Sequence, residues 1–187
     1  VVPGPGLQNA SAGITNAYAS SSPVLLISGQ IARDRISKDI GVLHEINDQL
    51  DVIRPITKWQ QRIMSASEVA DSVKESFYQL RIGRPRPVEI EIPPEALSES
   101  IEEIREYQSD SVPIHGADGS VLEEAASVIA HAKNPVIWAG GGVNIADASK
   151  ELLRLAEYLQ MPVMTTPEGK GSISDDHYLS LGTPQGG

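Results

Sequence analysis

Short runs of β-branched and aliphatic residues alternate along this chain with stretches whose apolar residues recur at helical spacing. No other feature constrains the fold as strongly, because that alternation is the signature of a parallel sheet layered with helices. Val24 to Ser28 (VLLIS), introduced by Pro23, is a continuous apolar run, as expected of a strand covered on both faces. Ser65 and Glu68 form a capping-box pattern, after which Val69, Val73, Phe77 and Leu80 predict a helix lying on the sheet and stopped at Gly83. Pro87 to Ile92 (PVEIEI) is the next strand, and its alternating glutamates predict that one face, or an edge, meets water.

From Pro93 to Gly119 the apolar periodicity dissolves into Pro, Ser, Glu, Asp and Gly, the composition of an interdomain linker. A second α/β unit follows. Ser120 and Glu123 repeat the capping-box spacing, with Leu122, Ala125, Ala126 and Ile129 on one helix face. Then come a strand over Pro135 to Ala139, a helix over Ile145 to Leu159 and a strand over Pro162 to Thr166. The reading is thus α/β, with one domain over 1–92, a linker over 93–119 and a second domain over 120–187.

Composition removes several classes of function. The 187 residues are 40% hydrophobic, as in an ordinary globular protein, and their formal charge of −10 includes no basic stripe. A nucleic-acid partner is therefore not expected, since phosphate neutralisation needs a Lys/Arg face. No apolar run reaches the length of a membrane span. Cysteine is absent, which removes thiolate chemistry and fits a cytoplasmic setting. His44, His115, His131 and His177 are widely separated, so no metal site is expected from imidazole.

Two glycine clusters stand out. Gly4-Pro5-Gly6, with Asn9 three residues on, sets a rigid turn at the start of a helix containing Ala10, Ser11, Ala12 and Gly13. Small residues there let the backbone approach a flat ligand closely, and a helix packed hard on its sheet makes the same demand. Gly140-Gly141-Gly142 follows the strand VIWA and precedes a helix read as capped by Asn144, with Asp147 in its first turn. Bare amides at such a helix start favour a phosphate or nucleotide, although Asp147 would repel an anion placed near it. Arg54, between a short helix and a strand, is stiffened by Pro55 and is either a solvated charge or a guanidinium aimed at an anionic ligand. His44-Glu45 has the composition of an acid/base pair, but neighbours on a loop seldom cooperate. Gly116 to Ser120 (GADGS) lacks the spaced oxygens of a calcium loop and reads as a turn with an N-cap.

Taken together, these stretches resemble the acetolactate synthase-like branch of the thiamine diphosphate-dependent enzymes over essentially the whole chain. GPG-x2-N-x3-G followed by AYASSSPVLLISGQ, and then IGRPRPVEIEIP, are similar to the second half of the family's pyrimidine-binding domain. The stretch from NPVIWAGGGVN to MTTPEGKG is similar to the first half of its central domain. The resemblance implies two partial parallel-sheet three-layer domains and a chain that begins inside one domain and ends inside the other. It also implies that the cofactor-activating glutamate and the domain holding the diphosphate and Mg2+ lie elsewhere, so that the 187 residues alone are expected to show no turnover. The parent activity implied is a carboligase or decarboxylase of 2-oxo acids, with hydrolysis of a diketone as an alternative. Outside the family, a non-catalytic nucleotide-binding module competes.

Residue by residue, the resemblance assigns Gly4, Pro5, Gly6 and Asn9 to the loop packed on the cofactor's pyrimidine, and Gln30 to the end of the following strand. Arg54 matches an arginine that contacts FAD in flavin-containing members. Gly140, Gly141, Gly142, Thr165 and Thr166 match the turn and strand end over which that FAD lies. Pro3 stands where the family commonly has Ser or Thr, while Pro167-Glu168 and Lys170 also depart from its pattern. Leu43-His44-Glu45 replaces a Phe-Gln-Glu segment that shapes the acceptor pocket, which implies a reshaped site and a substrate pair other than two pyruvates. A homodimer or homotetramer is the implied assembly.

Overall fold

A computed structural model describes residues 1–102, 107 and 116–184. Two compact units divide at 114/115, Val1–Ile114 and His115–Gly187. The division falls inside the stretch read as a linker, most of whose later part (103–106 and 108–115) lies outside the described residues.

In the first unit, helix α1 (Pro5–Ala19) begins at once behind Gly4, with Pro5 at its first position, where a missing N–H costs nothing. Strand β1 (Leu25–Gly29), the short helix α2 (Gln49–Ile53), strand β2 (Trp59–Arg62), helix α3 (Val69–Arg81), strand β3 (Val88–Ile92) and helix α4 (Pro94–Ser98) follow. The sheet is parallel with order β1-β3-β2, and Leu25 and Trp59 both stand opposite Val88. That order puts β3 in the middle. Its five residues are all buried, Glu89 and Glu91 included, which corrects the expectation that PVEIEI meets water on one face or at an edge. Strand β1 is the more open one instead: Ile27 is 51% exposed, so it is not covered on both faces.

One side of this sheet is apolar. Ile63, Ile90, Ile92 and Ala96 cluster there with Leu25, Trp59, Val69 and Val73. The α3 helix packs on that side as its spacing predicts, through Leu80 and the small Ser72 and Ser76, whereas Phe77 is half exposed. Ser65 donates to Glu68 at 2.9 Å, and Glu68 accepts from the Met64 N–H at 3.2 Å, ahead of the helix start. On the other side Leu7, Ile14, Leu26 and Ile53 cover the sheet beneath α1. Residues 94–99 belong to this unit rather than to a linker: Ala96 is buried, Glu95 accepts from the Arg33 N–H at 3.0 Å, and Glu99 accepts from the Ala66 N–H at 2.8 Å.

The second unit contains helix α5 (Gly119–His131), strand β4 (Ile137–Ala139), helices α6 (Gly141–Ile145) and α7 (Ser149–Leu159), and strand β5 (Val163–Thr165). Strands β4 and β5 pair in parallel, Ala139 opposite Thr165. Ala139, Leu152, Ala156, Val163, Ile173 and Leu179 form the core. Two expectations are corrected here. The cap position of α5 falls on Asp118, so Ser120 lies inside the helix, and no residue of α5 is buried. The single helix expected over 145–159 is two, broken at Asp147, whose φ of 52° lies in the left-handed region.

Candidate functional site

The Gly4-Pro5-Gly6 turn stands at the C-terminal end of β1, the end of a parallel sheet where ligands gather. Gly4 has φ 59°, and a Cβ on it would lie 2.5 Å from the backbone carbonyl of His44. Both facts require glycine. The turn is held from below by a residue that the sequence reading passed over. Gln49, fully buried at the start of α2, accepts the Gly4 N–H at 2.8 Å and donates to the Gly29 carbonyl at 2.8 Å and to Ser28 Oγ at 3.1 Å. Ser28 in turn donates to Glu89 at 2.6 Å.

Next to that chain runs a second one. Asp48 caps α2 by accepting the Leu50 N–H at 3.0 Å, and it pairs with Arg62 at 3.0 Å. Arg62 also pairs with the fully buried Glu91, which accepts from Gln30 at 2.9 Å. Gln49 and the cap residue Asp48 thus reach the two buried glutamates by separate routes. Desolvation opposes the Arg62 charge, but the hydrogen bond and charge of Glu91, with Asp48, hold its pKa above the ordinary value. Burial acts the other way on Glu89: desolvation, aided by Glu91, pushes its carboxyl up to about 7 although Ser28 and Arg62 pull down. Only a tertiary signal could have exposed this set, since Gln49 and Gly4 are 45 positions apart.

Of the residues assigned to the pyrimidine, Gly4 is buried, Gly6 is half-buried, and Pro5 and Asn9 are exposed. The Gln30 carboxamide is engaged internally, donating to Glu91 and accepting the Ile31 N–H at 2.7 Å. Arg54 is exposed and pairs with Asp51 at 2.7 Å. His44 and Glu45 do not act as a pair. The His44 backbone (φ 70°) packs its carbonyl against Gly4, while Glu45 accepts the N–H groups of Gly41 and Val42 at 2.6 and 3.0 Å. Desolvation raises the Glu45 pKa, but the backbone donors Val42, Ile40, Gly41 and Asp39 outweigh it and hold the carboxyl below its usual value. Leu43 beside them is 81% exposed.

In the second unit, Gly140, Gly141 and Gly142 lie at the end of β4, next to Thr165 and Thr166 at the end of β5; the Thr166 N–H donates to the Ala139 carbonyl at 2.9 Å. Helix α6 starts directly at Gly141, so Asn144 is not its cap. The Asn144 amide instead donates to the Glu168 and Lys170 carbonyls at 2.9 and 3.3 Å, tying the two loops together. Thr165 is buried and bonds Thr183 at 2.7 Å, and Thr166 accepts the Gly169 N–H at 3.1 Å. Gly140 and Gly142 leave backbone uncovered: the nearest atom to a Cβ on Gly140 would be Thr166 Oγ1 at 3.9 Å, and nothing lies within 4 Å of one on Gly142. Among the described residues no group of three or more His, Cys, Asp or Glu could hold a metal ion, and no helix is long and apolar enough to cross a membrane.

Two parallel α/β units, the first opening on a glycine-proline turn and the second carrying a glycine turn between paired strands, are an arrangement with known counterparts. Residues 1–52 match the thiamine pyrophosphate enzyme N-terminal TPP binding domain, and residues 122–186 match the thiamine pyrophosphate enzyme central domain, together more than half of the chain. The chain belongs to the thiamine pyrophosphate enzymes. It is 40% identical over 186 residues to a probable acetolactate synthase large subunit of Methanocaldococcus jannaschii, covering 96% of this chain and 31% of that protein. A probable acetolactate synthase large subunit of Methanococcus aeolicus is 34% identical over 185 residues (96% and 30%), and the acetolactate synthase large subunit of Lactococcus lactis is 33% identical over 185 residues (97% and 32%). The chain therefore spans about a third of the length of the curated relatives it matches.

Proposed function

We propose that this chain is part of a thiamine diphosphate-dependent carboligase or decarboxylase of 2-oxo acids, resembling acetolactate synthase. The observation that carries the reading is similarity to acetolactate synthase large subunits along 96% of the chain, with both glycine turns at the C-terminal ends of their strands. When bound, thiamine diphosphate supplies the carbanion that attacks a substrate carbonyl. The residues here bind and orient. Pro5 offers a rigid surface to a flat ring, with Asn9 exposed one helical turn beyond; Gly6 admits the Val2 side chain against the turn, and Gln49 fixes the amide of Gly4. Gln30 contributes by holding Glu91 rather than by reaching outward. As the resemblance implies, the diphosphate and Mg2+ are assigned to sequence other than these 187 residues.

The same reading assigns FAD to the open backbone at Gly140 and Gly142, with Gly141, Thr165 and Thr166 shaping the two loops. Exposed Ile27 and Trp138 (73%) favour a homodimer or homotetramer that covers them, and the absence of cysteine favours the cytoplasm. The test uses the full-length protein, purified and supplied with thiamine diphosphate and Mg2+. Consumption of pyruvate or another 2-oxo acid that stops when the cofactor is left out is the expected result. Nucleotide binding with no thiamine-dependent turnover of any 2-oxo acid or diketone would overturn the reading, and a flavin absorbance spectrum after purification checks the FAD assignment.

A further inference from the structure

We propose that Gln49 is the positioning residue of the Gly4–Gly6 turn and that Ser28 and Glu89 lock its carboxamide in place from below. Gln49 touches two backbone groups of fixed polarity. The Gly4 N–H can only donate and the Gly29 carbonyl can only accept, so the amide has one orientation, Oε1 toward Gly4 and Nε2 toward Gly29. Its second Nε2 hydrogen then points to Ser28 Oγ, which makes Ser28 an acceptor there and leaves the hydroxyl proton for Glu89 Oε1. Every proton from Gly4 to Glu89 has one place. A rotation of Gln49 would break three hydrogen bonds at once, two of them buried, and each buried group left unpaired would carry its desolvation cost.

The far end of this chain is set by a proton. Glu89 Oε2 and Gln60 Oε1 are both buried without a hydrogen-bond partner, and they belong to register partners on β3 and β2, whose side chains share a face. Each is an acceptor that lacks a donated hydrogen. One proton on Glu89 Oε2 supplies it and leaves Oε1 free to accept from Ser28. The charges agree: Glu91 on β3 and Asp48 ahead of α2 already share the Arg62 guanidinium of β2, the side-chain cation that acts on Glu89 among the described residues. Burial, which holds the Glu89 carboxyl near 7, is consistent with a neutral acid at the foot of the chain. Losing that proton makes the Ser28 bond charge-assisted but puts a second buried anion beside Glu91, and moving Glu89 away from it carries Ser28 and the seat of Gln49 along.

The inference rests on the functional reading only where it concerns the cofactor. In the full-length protein, thiamine diphosphate with Mg2+ is titrated by calorimetry from about pH 6 to about pH 8.5. Gln49→Ala is expected to weaken cofactor binding about tenfold and to lower kcat while leaving KM for the 2-oxo acid within about twofold. Glu89→Gln, which mimics the neutral acid, should bind as wild type does at the acid end and should remove the weakening of about threefold or more that wild type shows on passing through neutral pH. Ser28→Ala, which deletes one hydroxyl, carries the test if Gln49→Ala does not fold, with an expected loss of about threefold. Cofactor binding unchanged by Gln49→Ala or Ser28→Ala, or an undiminished pH dependence in Glu89→Gln, overturns the proposal. If wild type binds no thiamine diphosphate, the functional reading fails, and hydrogen exchange of the peptide over 3–8 decides the clamp separately. Faster exchange in Gln49→Ala or Ser28→Ala supports it, and unchanged exchange overturns it.

Discussion

The sheet of the first unit carries its polar groups inside, beneath the turn it presents, whereas that of the second unit is packed with aliphatic side chains and holds its turn by close glycine contacts and by Asn144 and Thr166 between the loops. Ser28, Gln49, Glu89 and Glu91 are all buried on the first sheet or directly against it; around the second strand pair the core is Ala139, Leu152, Ala156, Val163, Ile173 and Leu179. A buried ion pair is a poor way to gain stability, because desolvating the charges offsets their attraction. A hydrogen-bonded network does fix one geometry, and the Gly4 turn is what this one fixes. In the second unit a close backbone approach does that work: a Cβ on Gly169 would lie 2.2 Å from the Ala139 carbonyl.

The contrast can be broken most forcefully at Arg62. Arg62→Met leaves Glu91 buried and unpaired, and denaturant unfolding of the full-length protein should show a loss of about 4 kcal/mol, most of it recovered when Glu91→Leu is added. If the single variant costs nothing, the polar face is not holding the unit together. Gly169→Ala probes the other strategy and should destabilise by about 3 kcal/mol, since backbone must move to admit the methyl group. Gly142→Ala, with open space around it, is the matched control and should be near neutral.

Glu89 sharpens the comparison through pH. Its folded pKa is raised from 4.5 to about 7, so its contribution to stability is complete below about pH 4.5 and is lost as pH rises toward 7. Glu89→Gln should therefore be more stable than wild type at pH 8, by roughly 2 kcal/mol, and that advantage should shrink steadily with falling pH and vanish below about pH 4.5. An advantage that is independent of pH would mean that Glu89 does not titrate in this range. The smallest effect belongs to Arg54→Ala, whose ion pair with Asp51 is about two-thirds exposed on both sides; a stability change above about 0.5 kcal/mol would contradict the surface role.

Much of the first unit is legible in its residues. VLLIS and PVEIEI become β1 and β3 within a residue of their expected bounds, and Gly4-Pro5-Gly6 opens α1. The second glycine turn also falls where its strand ends, although the helix that follows starts four residues earlier than a cap at Asn144 suggested. Less was legible at the sites. Gln30 carries the signature of a strand-end ligand residue yet spends both ends of its amide inside the protein, and Gln49, an unremarked glutamine after an N-cap aspartate, holds the turn.

By itself the sequence determined the alternation of strand and helix, the two glycine turns and the absence of thiol chemistry, because these depend on periodicity and residue type over a few positions. Tertiary structure alone decided that β3 is the central strand, and with it that two glutamates written as a water-facing pattern are enclosed. Strand order in a parallel sheet is set by crossovers many residues long, and a period of two is the same in a middle strand as at an edge.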